Sequence, residues 1–426
     1  MYKPVERIEV FAWDERVGAV VLDPSSGYYV FAYYPKFTKL GIELAPIHMP
    51  ASFSPYVFAY LPEQTFKRLP ALLADALPDD FGNNLIDAWM AKKGVRKEDV
   101  TSLDRLAYMG KRGMGALEFK PSRSHASASS VTALKMSSLV EAARLAVSGF
   151  METADMTEAA LTQIIQVGTS AGGARAKAAI AWNPETGEIR SGQFNVAAGF
   201  EHWLLKFDGV GKDMELGSSK DYGRIEYAYY TMATMAGMAM SPCRILEENG
   251  RAHFMTKRFD RKGNQKIHMQ TLCAMTHLDY KQLATHDYAQ LFLTIDQLGL
   301  GYEAMEEVFR RMAFNVMSAN CDDHTKNFSF ILEKWGNWQL SPAYDVTHAY
   351  NPQGANVHQH LMSVNGKFKD ITREDLLEVA NRFGIGTAKK VLKDIAQAID
   401  HWPEVARAAG VDGKEIEKIR SHHQIL

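Results

Sequence analysis

The chain has 426 residues, enough for two or three cores, and its 46% hydrophobic and 23% charged residues exclude wholesale disorder. Forty-eight basic residues against fifty acidic ones give a formal net charge of −2, which excludes a global field for nucleic acid. Contact with DNA would then need a local patch or a partner protein.

At the N-terminus, Met1-Tyr2-Lys3-Pro4-Val5-Glu6-Arg7 carries no apolar stretch of the signal-peptide kind. Nowhere does an apolar run approach the roughly 18 residues of a membrane helix. Ile8, Val10 and Ala12 alternate with other residues, and Val17 to Leu22 leads through a turn at Pro24-Ser25-Ser26-Gly27 to Tyr28–Tyr33, so residues 8–37 read as strands and turns. Residues 69–89 read as helix, broken at Leu77-Pro78-Asp79-Asp80-Phe81-Gly82. The serine-rich stretch 121–130 has no apolar periodicity and reads as a linker. A helix is expected over 134–148, strands around 177–182 and 203–207, and a helix near 225–238. Beyond residue 262 helices dominate, for example 288–298 and 302–317, with a strand pair at 328–332 and 338–340. Strands first and helices later indicate α+β organisation rather than a doubly wound parallel sheet. Cys243, Cys273 and Cys321 are scattered and odd in number, so they suggest neither a disulfide framework nor a zinc cluster, and a reducing cytoplasm is the expected compartment.

The densest polar constellation is Asn320-Cys321-Asp322-Asp323-His324-Thr325-Lys326-Asn327, followed beyond an expected hairpin by Ser341-Pro342-Ala343-Tyr344-Asp345-Val346. Phosphoryl transfer needs a carboxylate to take the proton of the attacking hydroxyl, and oxygen ligands for the magnesium on the nucleotide phosphates. An Asp, an Asn five residues later and a second Asp beyond a hairpin supply these groups. A polar loop rich in Asp is the plainer alternative. His324 is expected to orient the loop beside Asp322, while a metallohydrolase using Asp322, Asp323 and His324 together is a rival reading. Upstream, the small-residue segment Val167 to Lys177, with Gly168, Gly172 and Gly173, could bring backbone N–H groups to a phosphate, with Arg175 and Lys177 adding charge. It fits neither standard phosphate-loop pattern, and a hairpin loop is the alternative. Lys206 is set in the apolar run His202-Trp203-Leu204-Leu205-Lys206-Phe207 and suggests an anionic partner; Glu226 on the following helix is one candidate, a nucleotide phosphate another.

These motifs together resemble the HipA family of serine/threonine kinase toxins: Gly172-Gly173-Ala174-Arg175-Ala176-Lys177, Leu204-Leu205-Lys206-Phe207, Lys257-Arg258-Phe259-Asp260-Arg261, Asp322 to Phe328, and Leu340 to Asp345. Leu77-Pro78-Asp79, Leu103 to Tyr108 and Arg112 to Phe119 resemble the family's small front domain, so the likeness spans nearly the whole chain. Two departures are Lys257, where the family often has Glu, and Asp80-Phe81, where it commonly has Gly-Trp.

The resemblance implies an α+β, protein-kinase-like two-lobed fold with a small N-terminal α/β domain and a mostly helical C-terminal lobe. The expected layout is an N-terminal domain over 1–120, a linker over 121–130, a nucleotide-binding lobe over 131–260 and a helical catalytic lobe over 261–426. It implies ATP and Mg2+ as cofactors, Asp322 as the base, and Asn327 and Asp345 as magnesium ligands. Gly172, Gly173, Ala174, Arg175, Lys177 and Lys206 would hold phosphates, the backbone of Lys257 and Phe259 the adenine, with His324 and Lys326 also at the nucleotide, and Ser170 would be autophosphorylated. The implied substrate is a protein, in known members an aminoacyl-tRNA synthetase. The implied partner is a HipB-like helix-turn-helix antitoxin, with DNA reached only through it and no membrane. Alternatives are a kinase of this kind aimed at a lipid or small metabolite, and a non-catalytic regulatory or corepressor subunit; the intact Asp322, Asn327 and Asp345 argue against the latter.

Overall fold

The computed structural model describes residues 2–78, 80–123, 135–147, 176–210 and 221–426, divided between two compact units. The first comprises Met1–Gly211, Lys257–Gln270 and Ile331–Asn337. Its front portion is a four-stranded antiparallel sheet of β1 (Arg7–Ala12), β2 (Glu15–Leu22), β3 (Tyr29–Tyr33) and β4 (Leu117–Lys120), in the order β3-β2-β1-β4. Alternation decides which face is covered: Ile8, Val10 and Ala12 are buried, and their neighbours along β1 are not. The β2–β3 turn closes through Gly27, whose N–H donates to the Asp23 carbonyl at 2.8 Å and whose φ of 74° favours glycine.

The helical reading of 69–89 resolves into a short turn at Ala71–Ala74 and helix α1 at Asp80–Ala91, separated where Pro78 was expected to break the pattern. Helix α2 (Ser102–Met109) packs against β1 and β4. A capping box starts it, with Thr101 accepting from the Asp104 N–H and Asp104 bonding back to Thr101. Helix α3 follows at Met136–Val147.

Further along this unit, β5 (Lys177–Trp182) lies between β6 (Ile189–Ser191) and β7 (Glu201–Lys206) in antiparallel ladders. Residues 177–181 of β5 are all buried, so the strand is covered on both faces and shows no polar alternation. Residues 257–261 run on beside β7, the Arg258 N–H donating to the His202 carbonyl at 2.9 Å. Here lies a buried ionic knot. Asp260 accepts from Arg258 at 2.7 Å, from Arg261 at 2.7 Å and from the Gly115 N–H at 2.8 Å, while Arg261 also donates to the Gly113 and Gly115 carbonyls. Two motifs far apart in sequence, 112–119 and 257–261, are thus one structural feature.

The second unit comprises Lys212–Thr256, Thr271–Phe330 and Trp338–Leu426. Helix α4 (Tyr222–Met235) packs on β8 (Cys243–Glu248), which pairs antiparallel with β9 (Arg251–Lys257). Close approach is possible because position 223 is glycine: a Cβ there would sit 1.8 Å from the Ala252 carbonyl oxygen. The short β10 (His286–Asp287) leads into α5 (Tyr288–Gln297) and α6 (Gly301–Met317), with Val308, Phe309, Met312, Ala313 and Val316 buried on the α6 inner face. Strands β11 (Ser329–Leu332) and β12 (Trp338–Leu340) are sheet neighbours, and β13 (Met362–Ser363) pairs parallel with β10. Helices α7 (Arg373–Arg382), α8 (Ala388–Asp400), α9 (Trp402–Ala408) and α10 (Gly413–Arg420) finish the unit. The expected α+β organisation is present, and no helix among the described residues is long and apolar enough to cross a membrane.

Candidate active site

The loop that carries the candidate base leaves α6 through a left-handed turn at Ala319, φ 56°, under a cover where Tyr229 Oη donates to the Ser318 carbonyl at 2.6 Å. The chain then runs extended and alternates. Cys321, Asp323 and Thr325 are buried, whereas Asp322, His324 and Lys326 are partly exposed. Each inward residue is tied down. Asp323 accepts from Tyr288 Oη at 2.8 Å, His360 Nδ1 at 2.8 Å and the Leu361 N–H at 2.8 Å. Thr325 Oγ1 donates to the Leu278 carbonyl at 2.7 Å. The outward Asp322 keeps 50% of its side chain exposed.

Hydrogen bonds hold the Asp345 segment against this loop. The Cys321 N–H donates to the Ala349 carbonyl at 3.0 Å, and Tyr344 Oη donates to the Lys326 carbonyl at 2.7 Å. Behind them, Arg311 donates to the Ser341 carbonyl at 2.8 Å. Asn327 Nδ2 donates to the Asp322 carbonyl at 2.6 Å, which commits the amide nitrogen to the loop and leaves Oδ1 as its acceptor. Asp345 itself has φ 55°, a left-handed conformation that costs a non-glycine residue about 1–3 kcal/mol and tends to occur at functional sites. Asp322, Asn327 and Asp345 therefore stand on one hydrogen-bonded frame.

His324 Nε2 lies 3.8 Å from Asp322 Oδ1, and its ring sits 5.2 Å from that of Tyr280. Lys326 Nζ also lies over Tyr280, 4.9 Å from the ring centre. The rival in which Asp322, Asp323 and His324 share one metal meets a geometric obstacle, since Asp323 faces the opposite way with both oxygens engaged.

In the first unit, Lys177 on β5 and Lys206 on β7 are register partners, and both are buried. Lys257 extends its side chain to Glu201 at 2.5 Å, and Phe259 is half-buried. His202 nearby is neutral, pushed down to about 4 by burial and by Arg258 and Arg261. Glu226 is buried on α4. Gly172, Gly173, Ala174, Arg175 and Ser170 lie outside the described residues.

Residues 8–120 match the profile of the HipA N-terminal domain, and residues 169–403 match that of the HipA-like C-terminal domain. The chain belongs to the HipA family. No curated protein matches it in sequence. Among solved structures, the Shewanella oneidensis MR-1 toxin–antitoxin system HipA, in complex with HipB and its operator DNA, aligns with a TM-score of 0.66 at 16% identity, covering 97% of this chain and 95% of that one. The Helicobacter pylori proinflammatory kinase CtkA aligns over 52% of this chain and 88% of that one, with a TM-score of 0.35 and 13% identity. The fold of this HipA-family chain is thus the HipA fold over nearly its full length.

Several residues that shape this HipA site escaped sequence reading. Tyr280, Tyr288 and His360 lie outside the quoted motifs, and His360 reaches Asp323 across 37 positions. Periodicity carries no signal for such a contact. Tyr344 was within a quoted motif, but nothing local marks it as the clasp between the two halves of the site.

Proposed function

We propose that this chain is an ATP-dependent serine/threonine protein kinase acting as the toxin of a toxin–antitoxin pair. One observation carries the reading: Asp322 is presented outward on a loop that also holds Asn327 and is clasped to the Asp345 segment through Tyr344 and Lys326. Asp322 accepts the proton of the attacking hydroxyl. Asn327 Oδ1 and the Asp345 carboxylate are hard oxygen donors of the kind magnesium prefers, and they would hold it. Bound magnesium supplies charge neutralisation on the phosphates. Lys177 and Lys206, with the 172–175 backbone and Arg175, grip phosphate, while the Lys257 and Phe259 main chain receives adenine. His324 and Lys326 border the nucleotide, and Ser170 is the site at which the enzyme modifies itself. A HipB-like antitoxin is the partner, as in the Shewanella complex, and operator DNA is reached through it. A translation protein such as an aminoacyl-tRNA synthetase is the substrate.

Incubating the chain with labelled ATP and cytosolic extract should mark a discrete protein band. Asp322→Asn should reduce the label by about 10²–10⁴-fold while MgATP affinity, measured by calorimetry, is kept. Near-full labelling by Asp322→Asn would remove the base assignment.

A further inference from the structure

The two adjacent aspartates of the loop face opposite ways, and the inward one is more heavily bonded than a merely polar loop requires. Asp323 is fully buried, and its oxygens take four donors: Tyr288 Oη, His360 Nδ1, the Leu361 N–H and, at 3.4 Å, the Met362 N–H. These come from α5 and from the segment entering β13, elements that β10 and β13 tie together in parallel. The chain of bonds then returns to the loop. Asn315 on α6 donates to Tyr288 Oη at 3.0 Å, and Asn320 donates to Asn315 Oδ1 at 2.9 Å. The loop is thus anchored on both sides of Asp322, by Asn320 before it and Asp323 after it.

We infer that Asp323 is a positioning residue, which through its clamp with Tyr288 and His360 fixes the direction in which Asp322 is presented. The inference rests on the reading of Asp322 as the base. The clamp acts in turn on His360, whose Nδ1 lies 2.8 Å from Asp323 Oδ2. Burial lowers the proton affinity of His360, but the Asp323 carboxylate outweighs it and raises the imidazole well above its ordinary value, with Cys321 Sγ, 3.8 Å from Nε2, adding to the effect. The groups facing His360 are thus Asp323 and Cys321, with Tyr288 behind them sharing the carboxylate. The sign follows. A histidine raised on folding contributes fully below its unfolded value near 6.5, and that contribution is lost as pH rises through the folded value. The clamp is therefore intact at neutral pH and fails on the alkaline side.

The test uses the full chain with MgATP, following ADP release, with MgATP affinity by calorimetry and His360 ionisation by NMR of 15N-histidine-labelled protein. Asp323→Asn is expected to lower kcat about 10²-fold, the typical result of moving a reacting group by about an ångström, with the Kd for MgATP unchanged. His360 should then titrate nearer its ordinary range, so that kcat falls at lower pH than in the wild type. His360→Asn keeps a donor near the Nδ1 position without a titrating proton, and should abolish the alkaline fall. An Asp323→Asn protein with unchanged kcat and pH profile, or one losing MgATP affinity in step with kcat, would overturn the inference. If Asp323→Asn does not fold, His360→Asn decides, and persistence of the alkaline fall in it overturns the inference. Asp322→Asn separates the two readings: retained turnover there removes the base, whereas a displaced His360 titration in Asp323→Asn reports the clamp independently of any activity.

Discussion

At Asp345 a carboxylate is held at φ 55°, and its neighbour Tyr344 is fastened to the loop of Asp322. In the proposed magnesium site Asp345 would supply a full negative charge. Asp345→Ala is accordingly expected to weaken MgATP binding at least tenfold while binding of adenosine stays within about twofold, since the full charge of one ligand is removed and the base site is untouched. Equal losses for both ligands in calorimetry would make Asp345 a structural residue. Asp260 belongs to another class. Its desolvated carboxylate is held far below the usual range by Arg258 and Arg261, despite burial that pushes the other way. Removing it leaves two buried cations uncompensated, so Asp260→Ala should destabilise the first unit by about 3–5 kcal/mol, measured by denaturant unfolding. Because the folded value is depressed, the contribution of Asp260 is complete above the ordinary carboxylate range and fades only as pH falls below it.

Elements tell how much could be read in advance. The helices over 288–298 and 302–317 were legible because the apolar period of 3.6 is long and uninterrupted, and they stand at Tyr288–Gln297 and Gly301–Met317. The β8–β9 hairpin was not anticipated, although Asn249-Gly250, at φ 47° and 74°, is the two-residue turn such hairpins favour. Its strands, rich in Arg and Glu, hid the signal. Asp322, Asn327 and Asp345 stood out in the sequence as candidates because their chemistry is carried by their side chains, and the structure places them on one hydrogen-bonded frame. The inward half, Tyr288 and His360, is defined only by tertiary contact. Gly223 is another feature that no pattern marks. Gly223→Ala would drive a methyl into the Ala252 carbonyl, and forcing α4 off β9 should cost about 1–3 kcal/mol or more, seen as a lowered Tm.

For the molecule as a whole, acid is the more dangerous direction. His202, His253 and His268 are pushed down to about 4 by burial, as is His423, and His348 falls to about 3. Each is neutral when folded and would take up a proton on unfolding. Their contribution is complete above the ordinary value of 6.5 and is lost as pH falls towards about 4, the unfolded chain binding more protons throughout that window. The midpoint of thermal unfolding should therefore drop steeply between these limits and be nearly flat just above them. A midpoint that held steady down to pH 4 would mean that these imidazoles are solvated. His360, raised on folding, works in the opposite sense and sets a separate alkaline limit.

The inward and outward alternation from Cys321 to Lys326 also makes the loop a ruler whose length cannot vary by one. Inserting a single residue between Asn320 and Asp322 would exchange the two faces, burying the carboxylate proposed as the base and exposing its anchor. Insertion of two restores the parity but misses the fixed seats of Asp323 and Thr325. A library of insertions scored for kinase activity should thus tolerate changes between β11 and β12, where Trp335 is exposed, and none between residues 320 and 327.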